Sequence, residues 1–101
     1  MGEYKDILAR GVLVIYSATT RDSPLRQALM YCLIREYDQS KDEEMKWCLY
    51  YMLEEGIKST GWVCHSVGTE LERLSQRGDI LVRKLWERIS GLGGGGVEVG
   101  I

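Results

Sequence analysis

Residues 60–90 constrain the fold most, because apolar positions recur there in steps of four and three: Val63, Val67, Leu71, Leu74, Gly78, Leu81, Leu85 and Ile89. At about 100° per residue these positions fall within an arc of roughly 80° on a helical wheel. That is an a/d-like seam, and it predicts one long amphipathic helix whose stripe must be covered along its whole length. Asp79 and Arg83, an i,i+4 pair, add a little support. Gly68 and Gly78 each weaken a helix by about 1 kcal/mol relative to alanine, so Gly78 marks where a bend or break would fall.

Three further helices are expected upstream. The only proline, Pro24, follows Ser23. Serine caps helix N-termini and proline suits the first helical position, so a helix is expected over 24–38. Leu25, Ala28, Leu29, Cys32 and Leu33 share one of its faces, with Met30, Ile34 and Tyr37 on the other, so several neighbours should contact it. Ser40-Lys41-Asp42-Glu43 reads as a capping box that opens the next helix. Met45, Cys48, Leu49, Met52 and Leu53 form its core stripe, and Gly56 is the expected stop. In residues 3–19, Tyr4, Ile7, Leu8, Gly11, Val14, Ile15 and Ala18 would share a helical face. VLVIYSATT is β-branched enough to form a strand, but the helical spacing begins upstream of it and favours helix.

A chain of 101 residues is one domain, large enough to bury a core without staples. The fold class expected is therefore all-α: a small antiparallel bundle of about four helices over 1–90, with a Gly-rich flexible tail over 91–101. As long as 12–17 is helix, the tail should do nothing for the fold; a strand at 12–17 would offer VEVGI an edge.

The formal net charge of −2 gives no global case for nucleic acid or an anionic membrane. Cys32, Cys48 and Cys64 are odd in number and lack Cys-x-x-Cys spacing, which suits reduced thiols. VLVIYSA is too short for a leader or a membrane span, and Asp6 stands where a myristoylation motif needs Ser or Thr. A cytoplasmic or nuclear protein is expected.

Nothing in the spacing announces catalysis. His65 adjoins Cys64, but neighbours on a helix point about 100° apart and form no dyad by spacing alone. The glycines at 93–96 lack the Lys-Ser/Thr of a phosphate loop. The cysteines and His65 lack paired zinc-ligand spacing. No enzyme, cofactor or metal is expected.

The remaining signals concern surfaces. Trp47 and Tyr51 are an i,i+4 aromatic pair with Tyr50 beside them, and Trp62 and Trp86 lie off the seam. Trp and Tyr are frequent interface anchors. Arg73, Arg77, Lys84 and Arg88 fall within roughly 60° on a continuous helix and could track phosphates, although interleaved Glu70, Glu72 and Glu87 favour a solvated edge. Leu74-Ser75-Gln76-Arg77-Gly78-Asp79 with Leu81 resembles the Leu-x-x-x-Gly-Asp core of BH3 death motifs. The resemblance implies a groove-binding helix, but Glu70 and Arg77 stand where that family has hydrophobics, and no function is carried over. Val99 and Ile101 resemble the terminal residues of a PDZ-domain ligand, bound through the carboxylate.

The reading that follows is a small non-enzymatic interaction module: a regulatory or accessory factor, of the sort viruses encode. It would act as a homodimer that occupies a partner protein's surface. Its interface residues would be Trp47, Tyr50, Tyr51, Leu74, Leu81, Leu85 and Trp86. The alternative is a dimeric nucleic-acid-binding protein using Arg73, Arg77, Lys84 and Arg88.

Overall fold

The computed structural model describes residues 2–89 and 98–99, and side chains over 4–89. Among these residues five helices form a bundle: α1 (Gly2–Ala18), α2 (Pro24–Gln39), α3 (Glu43–Thr60), α4 (His65–Gln76) and α5 (Ile80–Ile89). Two short strands, β1 (Trp62–Val63) and β2 (Glu98–Val99), accompany them. The chain is all-α in class, with α2 packed on α3 and α4, α1 on α3 and α2, and α4 on α5.

The helix ends follow from identifiable chemistry. The Ser23 hydroxyl accepts from the Leu25 amide at 3.2 Å, and Pro24 occupies the first position of α2. α3 departs from the expected capping box. Its N-cap is Asp42, whose carboxylate accepts from the Glu44 and Met45 amides at 3.0 and 3.5 Å. Ser40 instead terminates α2, its amide donating to the Glu36 carbonyl at 2.9 Å, so it is not free to open α3. Nor does α3 stop at Gly56; it continues to Thr60 and ends on Gly61. Gly56 is buried against Tyr16 of α1, and a β-carbon there would overlap the Tyr16 phenol. The missing side chain is what lets α1 sit close to α3.

The largest correction concerns the seam. It begins in β1, where Val63 lies, and then runs through two helices, α4 from His65 and α5 from Ile80, broken at Arg77-Gly78-Asp79. Gly78 has φ 96°, a left-handed conformation costly for any residue with a β-carbon. Asp79 then caps α5, accepting from the Val82 amide at 3.0 Å, and its other carboxylate oxygen accepts from the Tyr37 hydroxyl at 2.7 Å. The turn folds the seam back on itself. Val63, Val67, Leu71 and Leu74 before the turn and Val82, Leu85 and Ile89 after it all enter the same core. Leu81 is half-buried, and Val82 takes the core position in its place.

α1 is helical through residues 12–18, as expected, but it buries a different face. Val12 and Tyr16 are in the core with Leu8 and Ala9 packed against it, whereas Tyr4, Ile7, Leu13 and Val14 are 58–70% exposed. In α2 the core residues are Met30, Leu33, Ile34 and Tyr37, while Leu25 and Cys32 are exposed. The strands supply another correction. β2 pairs with β1 in parallel, Trp62 opposite Glu98 and Val63 opposite Val99, so residues 98–99 join the fold although 12–17 is helical. Residues 90–97, 100 and 101, including the tetraglycine and Ile101, lie outside the described residues.

One buried cation joins three helices. Arg26 of α2 is 7% exposed, and its guanidinium donates to the Tyr16 and Thr19 carbonyls at the end of α1. It also donates to the Thr19 hydroxyl at 2.9 Å and to the Thr60 hydroxyl on α3 at 3.3 Å. The charge is balanced by the carbonyls at the negative end of the α1 dipole rather than by a carboxylate. Arg21 adds a bond from its Nε to the Thr60 carbonyl at 3.0 Å.

Two stability measurements test this description. Gly78→Ala is expected to cost about 1–2 kcal/mol and to lower Tm in calorimetry, because alanine must adopt the left-handed turn. An unchanged Tm would mean that the turn is not left-handed. Arg26→Met should cost about 3 kcal/mol by stranding buried carbonyls. Arg26→Lys should recover only part of it, since an ammonium cannot span the fork of acceptors.

Candidate interaction surface

On α3, the side opposite the core stripe carries Trp47 and Tyr51, one turn apart and 58% and 62% exposed. Tyr50 packs beside Trp47. Its ring meets Trp47 edge to face, with centroids 6.4 Å apart and planes at 86°, and it also lies 6.4 Å from the Tyr37 ring. The Tyr50 hydroxyl bonds Glu54 at 3.2 Å and reaches the Leu81 carbonyl at 3.5 Å, which ties the patch to α5. Burial, and then the charge of Glu54, push the Tyr50 phenol up to about 12. Burial and the bond to Asp79 push Tyr37 higher still. Both phenols therefore remain neutral in the physiological range. Lys46 covers the Tyr37 ring at 4.7 Å, a cation–π contact at the edge of the patch.

The other residues expected at an interface lie elsewhere. Leu74 and Leu85 are 4% and 2% exposed and pack inside the protein's own core. Leu81 and Trp86 are half-buried, Trp86 against that same core. The seam is covered by the chain itself. Periodicity identifies a stripe that must be buried, and here the remaining helices bury it. The break at Gly78 also removes the continuous helix that the resemblance to BH3 death motifs requires.

The basic stripe is divided by the same turn. Arg73 donates to Glu70 at 2.6 Å and to Asp38 at 2.9 Å, and Arg77 to Asp38 at 3.1 Å. Arg35 reaches Glu70 from α2 at 3.1 Å, completing a belt between α2 and α4. Arg88 lies 3.9 Å from Glu54, while Lys84 is exposed on α5. The bond from Arg73 holds Asp38 below its ordinary 3.8, and Arg73 followed by Arg35 holds Glu70 below its ordinary 4.5. Three of the four stripe cations thus face acids of their own chain.

His65 and Ser66 stand exposed in the first turn of α4, and the three thiols are free, Cys32 exposed and Cys48 and Cys64 half-buried. Among the described residues no three His, Cys, Asp or Glu side chains gather where they could hold a metal ion. No helix of these residues is long and apolar enough to cross a membrane. A cleft of about 440 Å³ opens between α1, α2 and α3, lined mainly by Tyr4, Leu8, Leu29, Leu33, Met45 and Leu49, with Glu36 also on its wall. Val99 lies in β2, its backbone paired with β1, and Ile101 lies outside the described residues. Compared with models of protein families, with curated proteins and with solved structures, the chain matches none.

Three features of the surface were not anticipated: the exposed face of α1, the α2–α4 belt, and Ile80, which is 66% exposed beside the turn. The belt implies a pH dependence. Both carboxyls sit below their ordinary values in the folded protein, so their stabilisation is complete above the ordinary carboxyl range. It is lost as the pH falls through the lowered folded values. The difference in urea midpoint between wild type and Arg73→Met should therefore shrink between pH 7 and pH 3. A difference that stays constant with pH would assign Arg73 to packing alone.

Proposed function

We propose that this protein is a small non-enzymatic interaction module, a regulatory or accessory factor that works as a homo-oligomer and presents Trp47 and Tyr51 to a partner protein. One observation carries the reading. Two large aromatics stand one turn apart, mostly exposed, on a helix whose opposite side is core. A third ring, that of Tyr50, is held against Trp47 by its edge contact and by the hydrogen bonding of its hydroxyl. Aromatic side chains on a rigid element lose little conformational entropy on binding and supply large contact areas, the usual makeup of an interface hot spot. Glu54, Glu55 and Lys58 follow on α3 and provide a polar border.

Nucleic acid is the weaker reading. It rests on a stripe whose members Arg73, Arg77 and Arg88 are engaged by Glu70, Asp38 and Glu54, which would have to be released before phosphates could bind.

Trp47→Glu/Tyr51→Glu is the variant to compare. Both positions are exposed, so the helical circular dichroism and Tm should stay close to wild type. Proteins retained from a native lysate by the immobilised wild-type chain should be lost, with affinity down by about 2 kcal/mol or more. If a folded double variant retains the same proteins, the patch is not the binding surface.

A further inference from the structure

We infer that the outer face of α1 is the self-association surface, and that its occupant is a second copy of the chain docked antiparallel. This rests on the homo-oligomer in the proposed function and assigns its location; it does not depend on Trp47 and Tyr51.

From Gly11 to Thr20 the chain carries no charge, and its apolar residues surround the helix. A helix apolar on all sides belongs in an interior. Within one chain only half of α1 is covered, by Val12, Tyr16, Leu8 and Ala9. The uncovered half displays Ile7 at 70%, Val14 at 64%, Tyr4 at 60% and Leu13 at 58% exposure. Tyr4, Ile7, Gly11, Val14 and Ala18 follow one another in steps of three and four, the spacing of a helix–helix seam.

Gly11 is the second observation. A β-carbon built there meets nothing within 4 Å, and the residue is not left-handed. A mid-helix glycine weakens α1 relative to alanine, and no close contact within the monomer requires it there. It leaves an open notch at the middle of the exposed seam. In an antiparallel pair that places Ile7 against the partner's Gly11, the two-fold axis repeats the contact. Tyr4 then faces the partner's Val14. The seam is thus complementary to itself, as an isologous contact requires.

Charge and area agree with a second copy. Asp6 and Arg10 are exposed on one flank of this seam, and neither has an ion-pair partner among the described residues. The two-fold brings that flank against itself and sets Arg10 within a turn of the partner's Asp6. At roughly 100 Å² of exposed area each, Tyr4, Ile7 and Val14, the three large side chains on the seam, contribute about 300 Å² of apolar surface per copy. That is somewhat over a third of the ~800 Å² that each partner gives to a standard interface, with Asp6, Arg10 and the small residues available for the rest.

Sedimentation equilibrium of the full chain tests the assignment. Wild type should dimerise at tens of micromolar. Ile7→Glu/Val14→Glu should raise the dissociation constant at least about tenfold with unchanged helical dichroism. Gly11→Leu fills the notch and should do the same while leaving the monomer fold intact. Asp6→Arg alone should weaken the dimer, and Asp6→Arg/Arg10→Asp should restore it. The Trp47→Glu/Tyr51→Glu chain should dimerise like wild type. A wild-type monomer overturns both the homo-oligomer and this surface. A wild-type dimer that survives Ile7→Glu/Val14→Glu overturns the surface alone. Binding of monomeric wild type to phosphatidylserine vesicles, lost in Ile7→Glu/Val14→Glu, would overturn it in favour of a lipid surface.

Discussion

Everything in this fold depends on the seam of residues 63–89 being turned back at Gly78-Asp79. A straight helix of that length would extend about 40 Å, longer than any dimension of a molecule that measures 37 × 32 × 19 Å. The turn resolves this with two adjacent residues of opposite character. Gly78 adopts the left-handed conformation that ends α4, and Asp79 caps α5 while accepting from Tyr37 of α2. A single carboxylate thereby fixes where α5 begins and holds the turn against the helix that α4 packs on.

The same turn explains why local signals could be read and their assembly could not. Ser23-Pro24 and the stripe of α3 are local, and they appear where the spacing puts them. Gly78-Asp79 is also a local stop-and-start signal, but the regular seam on either side argued for continuity. Only the competition for core volume decides against it. α1 posed a different difficulty. Its apolar residues surround the helix, so a wheel yields several equally good faces. The choice of Val12 and Tyr16 depends on Gly56, forty residues away, having no side chain. Pairing of residues 98–99 with 62–63 is beyond any local pattern.

Arg26 was likewise invisible in advance. In sequence it is one polar residue in a helix with several others, and nothing marks it as buried. Its position is intelligible only once the last carbonyls of α1 and the Thr60 hydroxyl converge on it. The candidate surfaces followed the same logic. A stripe announces that something must cover it, and whether the cover is this chain or another is a question of global packing. Leu74 and Leu85 are covered from within. Trp47 and Tyr51 are not, and neither are Ile7 and Val14.

The anchoring of α1 is uneven along its length. Its C-terminal end is gripped by Arg26 and wedged through Tyr16 against Gly56. Toward its N-terminal end the one polar tie among the described residues is the ion pair of Lys5 with Glu44 at 2.5 Å, with Glu44 well exposed to solvent. Exposed pairs contribute about 0–1 kcal/mol and weaken with salt. Opening of α1 therefore begins at residues 4–8 and meets rising resistance toward residue 16. In amide exchange this becomes a gradient of protection along one continuous helix, with its low end steepened by ionic strength.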